Sequence, residues 1–190
     1  TGNQLIKKES VGGKSIVIIE KGEPKSCNIV TSCDNKGKTF IMFSDDLDKA
    51  LATFVLANGA AATGQKVTIF FTFWGLNVIK KLHKPNVEKD IFGKMFSMML
   101  PSSSNKLKLS KMSMGGIGGR MMRYIMNRKG IDSLESLRQQ ALENGVEFIA
   151  CQMSMDVMGV KQEELLDGVT IGGVATYMER ADNANINLFI

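Results

Sequence analysis

From Lys38 onward the chain alternates short, continuous apolar runs with segments of helical periodicity, and this alternation restricts the fold more than any other feature. Thr39-Phe40-Ile41-Met42-Phe43-Ser44 is apolar without a break, as in a strand buried on both faces. Asp45-Asp46 then supplies a cap and first-turn acids for a helix to about Gly64, with the stripe Leu47, Ala50, Leu51, Phe54, Val55 and Ala61. Val67–Phe73 repeats the strand pattern, followed by Trp74-Gly75 and a helix to about His83. Ser133–Asn144 reads as an amphipathic helix stopped by Gly145, and Val146–Cys151 as a third strand. Val169–Ile171, Gly173–Ala184 and Asn187–Ile190 complete the series as strand, helix and strand. Strands alternating with helices predict an α/β fold: a three-layer α/β/α sandwich around a mostly parallel sheet of about five strands. Residues 1–22 read as an N-terminal β-hairpin turning at Gly12-Gly13, and 23–36 as a polar, turn-forming linker to the domain at 37–190.

Composition narrows the class. With 190 residues, 44% of them apolar and 23% charged, the chain suits a globular domain. The charge-free stretches Ala50–Gln65 and Val67–Ile79 fall short of the roughly 20 apolar residues a bilayer needs. Three cysteines without tight spacing and no secretory leader point to a reducing cytoplasm. The opening Thr1 reads as a start inside a longer polypeptide or after processing. The net charge of +5 is unevenly spread, because residues 80–130 hold twelve of the 24 Lys/Arg and two of the 19 acids. The same segment holds eight of the 13 methionines, which marks a basic, Met-rich insertion at about 85–130. Phe92, Phe96 and Tyr124 are its aromatics, with no nucleic-acid signature among them, so no nucleic-acid partner is expected. The segment reads either as a partner-binding or membrane-surface element or as a solvated face over the domain's own core.

In open parallel sheets, ligands collect beyond the carboxyl ends of the strands. That edge is predicted to carry Ser44-Asp45, Thr72-Phe73-Trp74-Gly75, Cys151-Gln152 and Gly172-Gly173. Cys151 ends a strand just before a short helix, a position that favours thiolate; a buried structural cysteine fits the same position. Spacing removes the familiar alternatives. Cys151-Gln152-Met153-Ser154 lacks a second cysteine, Val157 stands where a C-x5-R phosphate cradle needs arginine, and Phe148 stands where T-x-x-C needs threonine. The sole histidine, His83, lies in the basic segment and reads as a surface residue. Cys27 and Cys33 are too widely spaced for a zinc knuckle, so no metal is expected. Gly115-Gly116-Ile117-Gly118-Gly119 follows no strand, and Gly59-x4-Gly64 is followed by Gln65; neither supports nucleotide binding, and no cofactor is expected. What remains is chemistry that needs only a nucleophilic sulfur: thiol exchange or transient storage of a persulfide.

Four words in order carry a family resemblance: Thr72-Phe73-Trp74-Gly75-Leu76, Met112-Ser113-Met114-Gly115-Gly116, Cys151-Gln152-Met153-Ser154-Met155-Asp156-Val157-Met158-Gly159 and Gly173-Val174-Ala175-Thr176-Tyr177-Met178. Together they resemble the DsrE/DsrF-like sulfurtransferase family, specifically its peroxiredoxin-like subgroup, over about residues 37–190. The resemblance implies a flavodoxin-like sandwich, self-association and a cytoplasmic protein, some members being membrane-associated. It also implies that Cys151 accepts sulfane sulfur and passes it on. Residues 2–21 are similar to the closing hairpin of TusA-like sulfur carriers, although the carriers' C-P-x-P motif is absent. On that likeness the hairpin is the tail of a preceding carrier domain.

The expected function is therefore a sulfur relay through Cys151, with Trp74, Gly75, Gln152, Ser154, Asp156, Gly172 and Gly173 forming the pocket. Its partners would be TusA-like or rhodanese-like donor and acceptor proteins and further copies of the chain. The competing expectation is a non-enzymatic interaction protein that docks a membrane or a subunit through the basic segment.

Overall fold

The computed structural model describes residues 4–11, 14–20, 36–82, 103–111 and 114–190, which fall into two units divided after Asp34. In the first unit β1 (Gln4–Val11) pairs antiparallel with β2 (Lys14–Glu20), from Gln4 opposite Glu20 to Val11 opposite Lys14. The Gly12-Gly13 turn, Cys27, Cys33 and His83 lie outside the described residues.

The second unit runs β3 (Gly37–Met42), α1 (Leu47–Ala62), β4 (Val67–Phe71), a 3-10 segment (Phe73–Ile79), α2 (Ile117–Arg128), α3 (Leu134–Glu143), β5 (Glu147–Cys151), α4 (Gln152–Met158), β6 (Val169–Gly172), α5 (Val174–Asp182) and β7 (Ala184–Phe189). The sheet order is β6-β5-β4-β3-β7, and every pair is parallel. This is the α/β sandwich expected, with strand ends shifted by a few residues.

Strand alternation divides the sheet residues between two unequal layers. Phe40, Met42, Ile69, Phe71, Phe148 and Ala150 pack with Phe54 of α1 and Leu134 and Ala141 of α3. Phe54, Phe71 and Phe148 form a ring triad with centroids 5.4–6.3 Å apart. Burying each such ring stabilises the fold by roughly 1.5–3 kcal/mol. The opposite face is thinner, with Phe70, Ile149 and Cys151 covered by Tyr177 of α5. Phe70 and Tyr177 lie 5.2 Å apart. No helix among the described residues is long and apolar enough to cross a membrane.

One element departs from expectation. The helix predicted from Trp74 to about His83 is instead a tight 3-10 segment that ends at Ile79, after which Lys80 bridges Leu165 in extended conformation. The cause is tertiary. Gly75 to Ile79 are all buried, and the carbonyls at the end of the segment bond outward: Arg138 Nη1 donates to Val78 O at 2.7 Å and, just beyond the segment, to Lys80 O at 3.3 Å, and Leu166 N donates to Ile79 O at 3.0 Å. Such bonds replace the ladder that an isolated helix would make for itself. Arg138→Met, which keeps the apolar stem and removes the donors, should destabilise the domain by about 2–3 kcal/mol. Chemical denaturation checks this, with a lower midpoint at unchanged slope as the expected result.

The described part of the basic segment packs on the domain. Leu107 and Met126 are buried, Leu47 N donates to Lys108 O at 2.7 Å, and Asp48 accepts from Ser110 N at 2.9 Å. Gly115 and Gly116 are left-handed, turning the chain into α2.

Candidate functional site

Cys151 is the last residue of β5 and the N-cap of α4, because the apolar strand stops there and Gln152 begins a helical turn. Its side chain makes no capping hydrogen bond, and the thiol is free and buried, with 2% of the residue exposed. Alternation along β5 puts it on the face of Ile149, under Tyr177 and beside Phe70. Its register partner on β6 is Gly172.

The structure gathers part of the expected pocket. Ser154 is fully buried in the first turn of α4, and its Oγ lies 2.8 Å from Thr72 Oγ1, just past β4. Gln152 and Asp156 occupy the exposed side of the same helix, where Gln152 Nε2 donates to Asp156 Oδ1 at 2.9 Å. Trp74 and Gly75 stand one strand away, in the 3-10 segment that packs against α4, with Trp74 39% exposed. The three glycines differ in character. A Cβ on Gly75 would collide with Met42 O, and one on Gly172 would meet Ile149 Cγ2 at 2.8 Å. Gly173 faces open space.

Several contacts at this edge, though not the residues that make them, escaped the sequence reading. Thr72 and Ser154 are 82 positions apart, and nothing local announces their bond. Tyr177, inside one of the family words, lies 3.3 Å from Thr39 Oγ1 and roofs the Cys151 face. Phe73 adopts a positive φ of 46°, a strained conformation for a bulky residue, and its ring lies 5.5 Å from that of Phe43.

Past β3, Asn77 Nδ2 donates to Asp45 Oδ2 at 3.0 Å, and the buried Asn77 Oδ1 finds no donor among the described residues. Burial pushes the Asp45 carboxyl above its usual range, although the Asn77 hydrogen bond opposes this. A raised value means that the folded state holds the proton more tightly than the unfolded chain. The resulting stabilisation is complete below the ordinary aspartate value of about 3.9 and is lost as pH rises through the folded value. Asp45→Asn keeps the shape and gives Asn77 Oδ1 a donor at every pH. It should stabilise the domain by about 1 kcal/mol at neutral pH and confer no gain near pH 3, as read from thermal midpoints at the two pH values.

A cavity of about 770 Å³ opens at the opposite, amino-terminal edge of the sheet, between Lys36, Lys38, Lys66 and the Glu147–Arg180 pair. It carries no thiol, and the Arg180 hydrogen bond holds Glu147 below the usual carboxylate range. Among the described residues no group of three or more His, Cys, Asp or Glu side chains is placed to hold a metal.

The chain is 43% identical to the uncharacterized protein YrkE of Bacillus subtilis over 155 residues, 82% of this chain and 97% of that one. It is 38% identical to the sulfur carrier protein DsrE2 of Allochromatium vinosum over 161 residues, 83% of this chain and 99% of that one. Among solved structures, the ychN protein of Escherichia coli superposes with a TM-score of 0.49 at 10% identity, covering 82% of this chain and 99% of that one. The model of the DsrE/DsrF/DrsH-like family matches residues 34–189, and the chain belongs to that family.

Proposed function

We propose that this chain is a sulfur-relay protein in which Cys151 carries the sulfur. The observation that carries the reading is the placement of Cys151, the one thiol among the described residues, at the carboxyl end of β5 where α4 begins. The similarity to a sulfur carrier over most of both chains supports it. The Cys151 thiol gives its proton to solvent, and the thiolate attacks the outer sulfur of a donor persulfide. A new S–S bond forms at Cys151 while the donor's S–S bond breaks, and the donor departs as a thiolate. An acceptor thiolate then attacks the outer sulfur, and Cys151 leaves as thiolate with no net oxidation or reduction.

Exchange of this kind needs access, and Cys151 is buried. The cover of Tyr177 must therefore part when a donor docks, and the open space at Gly173, next to the register partner Gly172, is the approach this reading uses. Donors and acceptors on this reading are TusA-like or rhodanese-like proteins. Incubation with polysulfide followed by peptide mass spectrometry tests the proposal. One added sulfur on Cys151 is the expected result; loading of Cys27 or Cys33 with Cys151 bare would remove it.

A further inference from the structure

Cys151 is 2% exposed, yet a sulfur relay needs its thiol within reach of a partner, so the element that covers it decides when exchange can run. That element is weakly held. On the opposite face of the sheet α1 buries Leu47, Ala50, Thr53, Phe54 and Ala57, whereas α5 buries Tyr177 alone. Val174 (59% exposed) and Met178 (50%) of α5 stand in solvent. The two ends of α5 also differ. Its last turn is tied to the sheet: Arg180 Nε donates to Glu147 Oε2 at 2.9 Å, and Asn187 Nδ2 donates to Ala181 O at 3.4 Å. Its first turn starts from Gly173, which faces open space and has no side chain to cap the helix, and the turn carries no acid. Tyr177 pins this end. Its ring lies 5.2 Å from that of Phe70, and its hydroxyl lies 3.3 Å from Thr39 Oγ1. The single hydroxyl proton of Thr39 goes to Asn187 Oδ1 at 2.5 Å, so the Tyr177 phenol is the donor in this bond.

We propose that the first turn of α5 is a lid over Cys151 that opens about the anchored last turn, and that Tyr177, latched by Thr39, sets how often it opens. The inference rests on the reading of Cys151 as the sulfur carrier and adds what controls access to it. Tyr177 and Thr39 are positioning residues: they act through the exposure of the thiol and take no part in the exchange itself. Opening breaks one neutral hydrogen bond and the Phe70–Tyr177 contact while the rest of the sheet keeps its core. It is therefore a local event, far below the cost of unfolding the domain, and it occurs before any partner arrives. A partner that engages the open form shifts this equilibrium by its preference for that form over the closed one.

The test is alkylation of the full chain by iodoacetamide at one pH, followed on the Cys151 peptide by mass spectrometry, without urea and in urea below the unfolding transition. The parent chain should label more slowly than a short unfolded peptide carrying the same cysteine. Its rate should hardly change with urea, because a local opening exposes little surface. Tyr177→Phe keeps the ring and drops the phenol, and it should speed labelling by about two- to tenfold, the net worth of one hydrogen bond. Thr39→Val should speed it as well. Thr39→Ser, which retains the accepting oxygen, should restore the parent rate, and adding Tyr177→Phe to Thr39→Val should give no further gain. A parent rate equal to that of the peptide, or one that climbs with urea as steeply as global unfolding, overturns the proposal. So does an unchanged rate in Tyr177→Phe, a Thr39→Ser rate as fast as Thr39→Val, or a further gain in the double variant. Alkylation reads exposure alone. A chain that alkylates as expected but takes no sulfur from polysulfide keeps the lid and loses the relay reading, and a chain that loads Cys151 without these alkylation effects loses only the lid.

Discussion

Cys151→Ser should abolish sulfur loading, with a loss of more than 100-fold against the parent chain, while the double substitution Cys27→Ser and Cys33→Ser loads normally. An alcohol does not exchange with a persulfide at neutral pH, because exchange runs through the thiolate. The serine variant carries a separate complication. Cys151 lies among Phe70, Ile149 and Tyr177, and a hydroxyl buried there without a partner costs about 1–3 kcal/mol. Cys151→Ala avoids that penalty, and the small cavity it leaves is apolar, so it should stay folded and fail to load. The measurement is intact-mass spectrometry after polysulfide treatment, alongside a thermal melt of each variant. If folded Cys151→Ala still acquires sulfur at the parent rate, Cys151 is a structural cysteine and the proposed function falls.

The legible and hidden parts of the molecule divide by range. β3, β4 and β5 could be read because strands covered on both faces need apolar residues at most positions, and Phe70 and Phe71 each found a core on their own side of the sheet. The same apolar runs located Cys151, since a strand that stops at a potential helix start defines the sheet's carboxyl edge. The 3-10 segment was hidden because its carbonyls are satisfied by Arg138 and Leu166, donors 60 and more positions away. The bond between Thr72 and Ser154 was hidden for the same reason, Ser154 lying beyond two intervening helices. Gly75 and Gly172 are both expected from the sequence to line the pocket, but the space at each is already filled, by Met42 and Ile149 respectively. Only packing distinguishes a glycine that leaves room from one whose room is occupied, and the residue letter does not carry that information.

That distinction leads to the largest stability effect expected here. At Gly75 the obstacle to a side chain is backbone: an added Cβ would overlap the carbonyl of Met42, the last residue of β3. That carbonyl accepts from Thr72 N at 3.1 Å, and Gly75 N donates to Phe43 O at 2.8 Å and to Thr72 O at 3.0 Å. The ends of the two central strands and the start of the 3-10 segment are therefore locked together, and no flexible side chain is available to move aside. Gly75→Ala has to separate them, straining or breaking these hydrogen bonds and disturbing the Thr72–Ser154 contact that anchors α4 behind Cys151. A loss of about 4–5 kcal/mol is expected, at the upper end for one substitution. For a chain of this size that lowers the thermal midpoint by on the order of 10 °C or more. Gly172→Ala should lose less, because the obstacle is a side-chain atom, the Cγ2 methyl of Ile149, and not backbone. Gly173→Ala has an ordinary negative φ and open space, so it should melt within about 0.5 kcal/mol of the parent. Differential scanning calorimetry of the three variants gives the ranking. A Gly75→Ala midpoint as high as that of Gly173→Ala would mean that the strand ends are not packed as described, and with them the frame that holds Cys151.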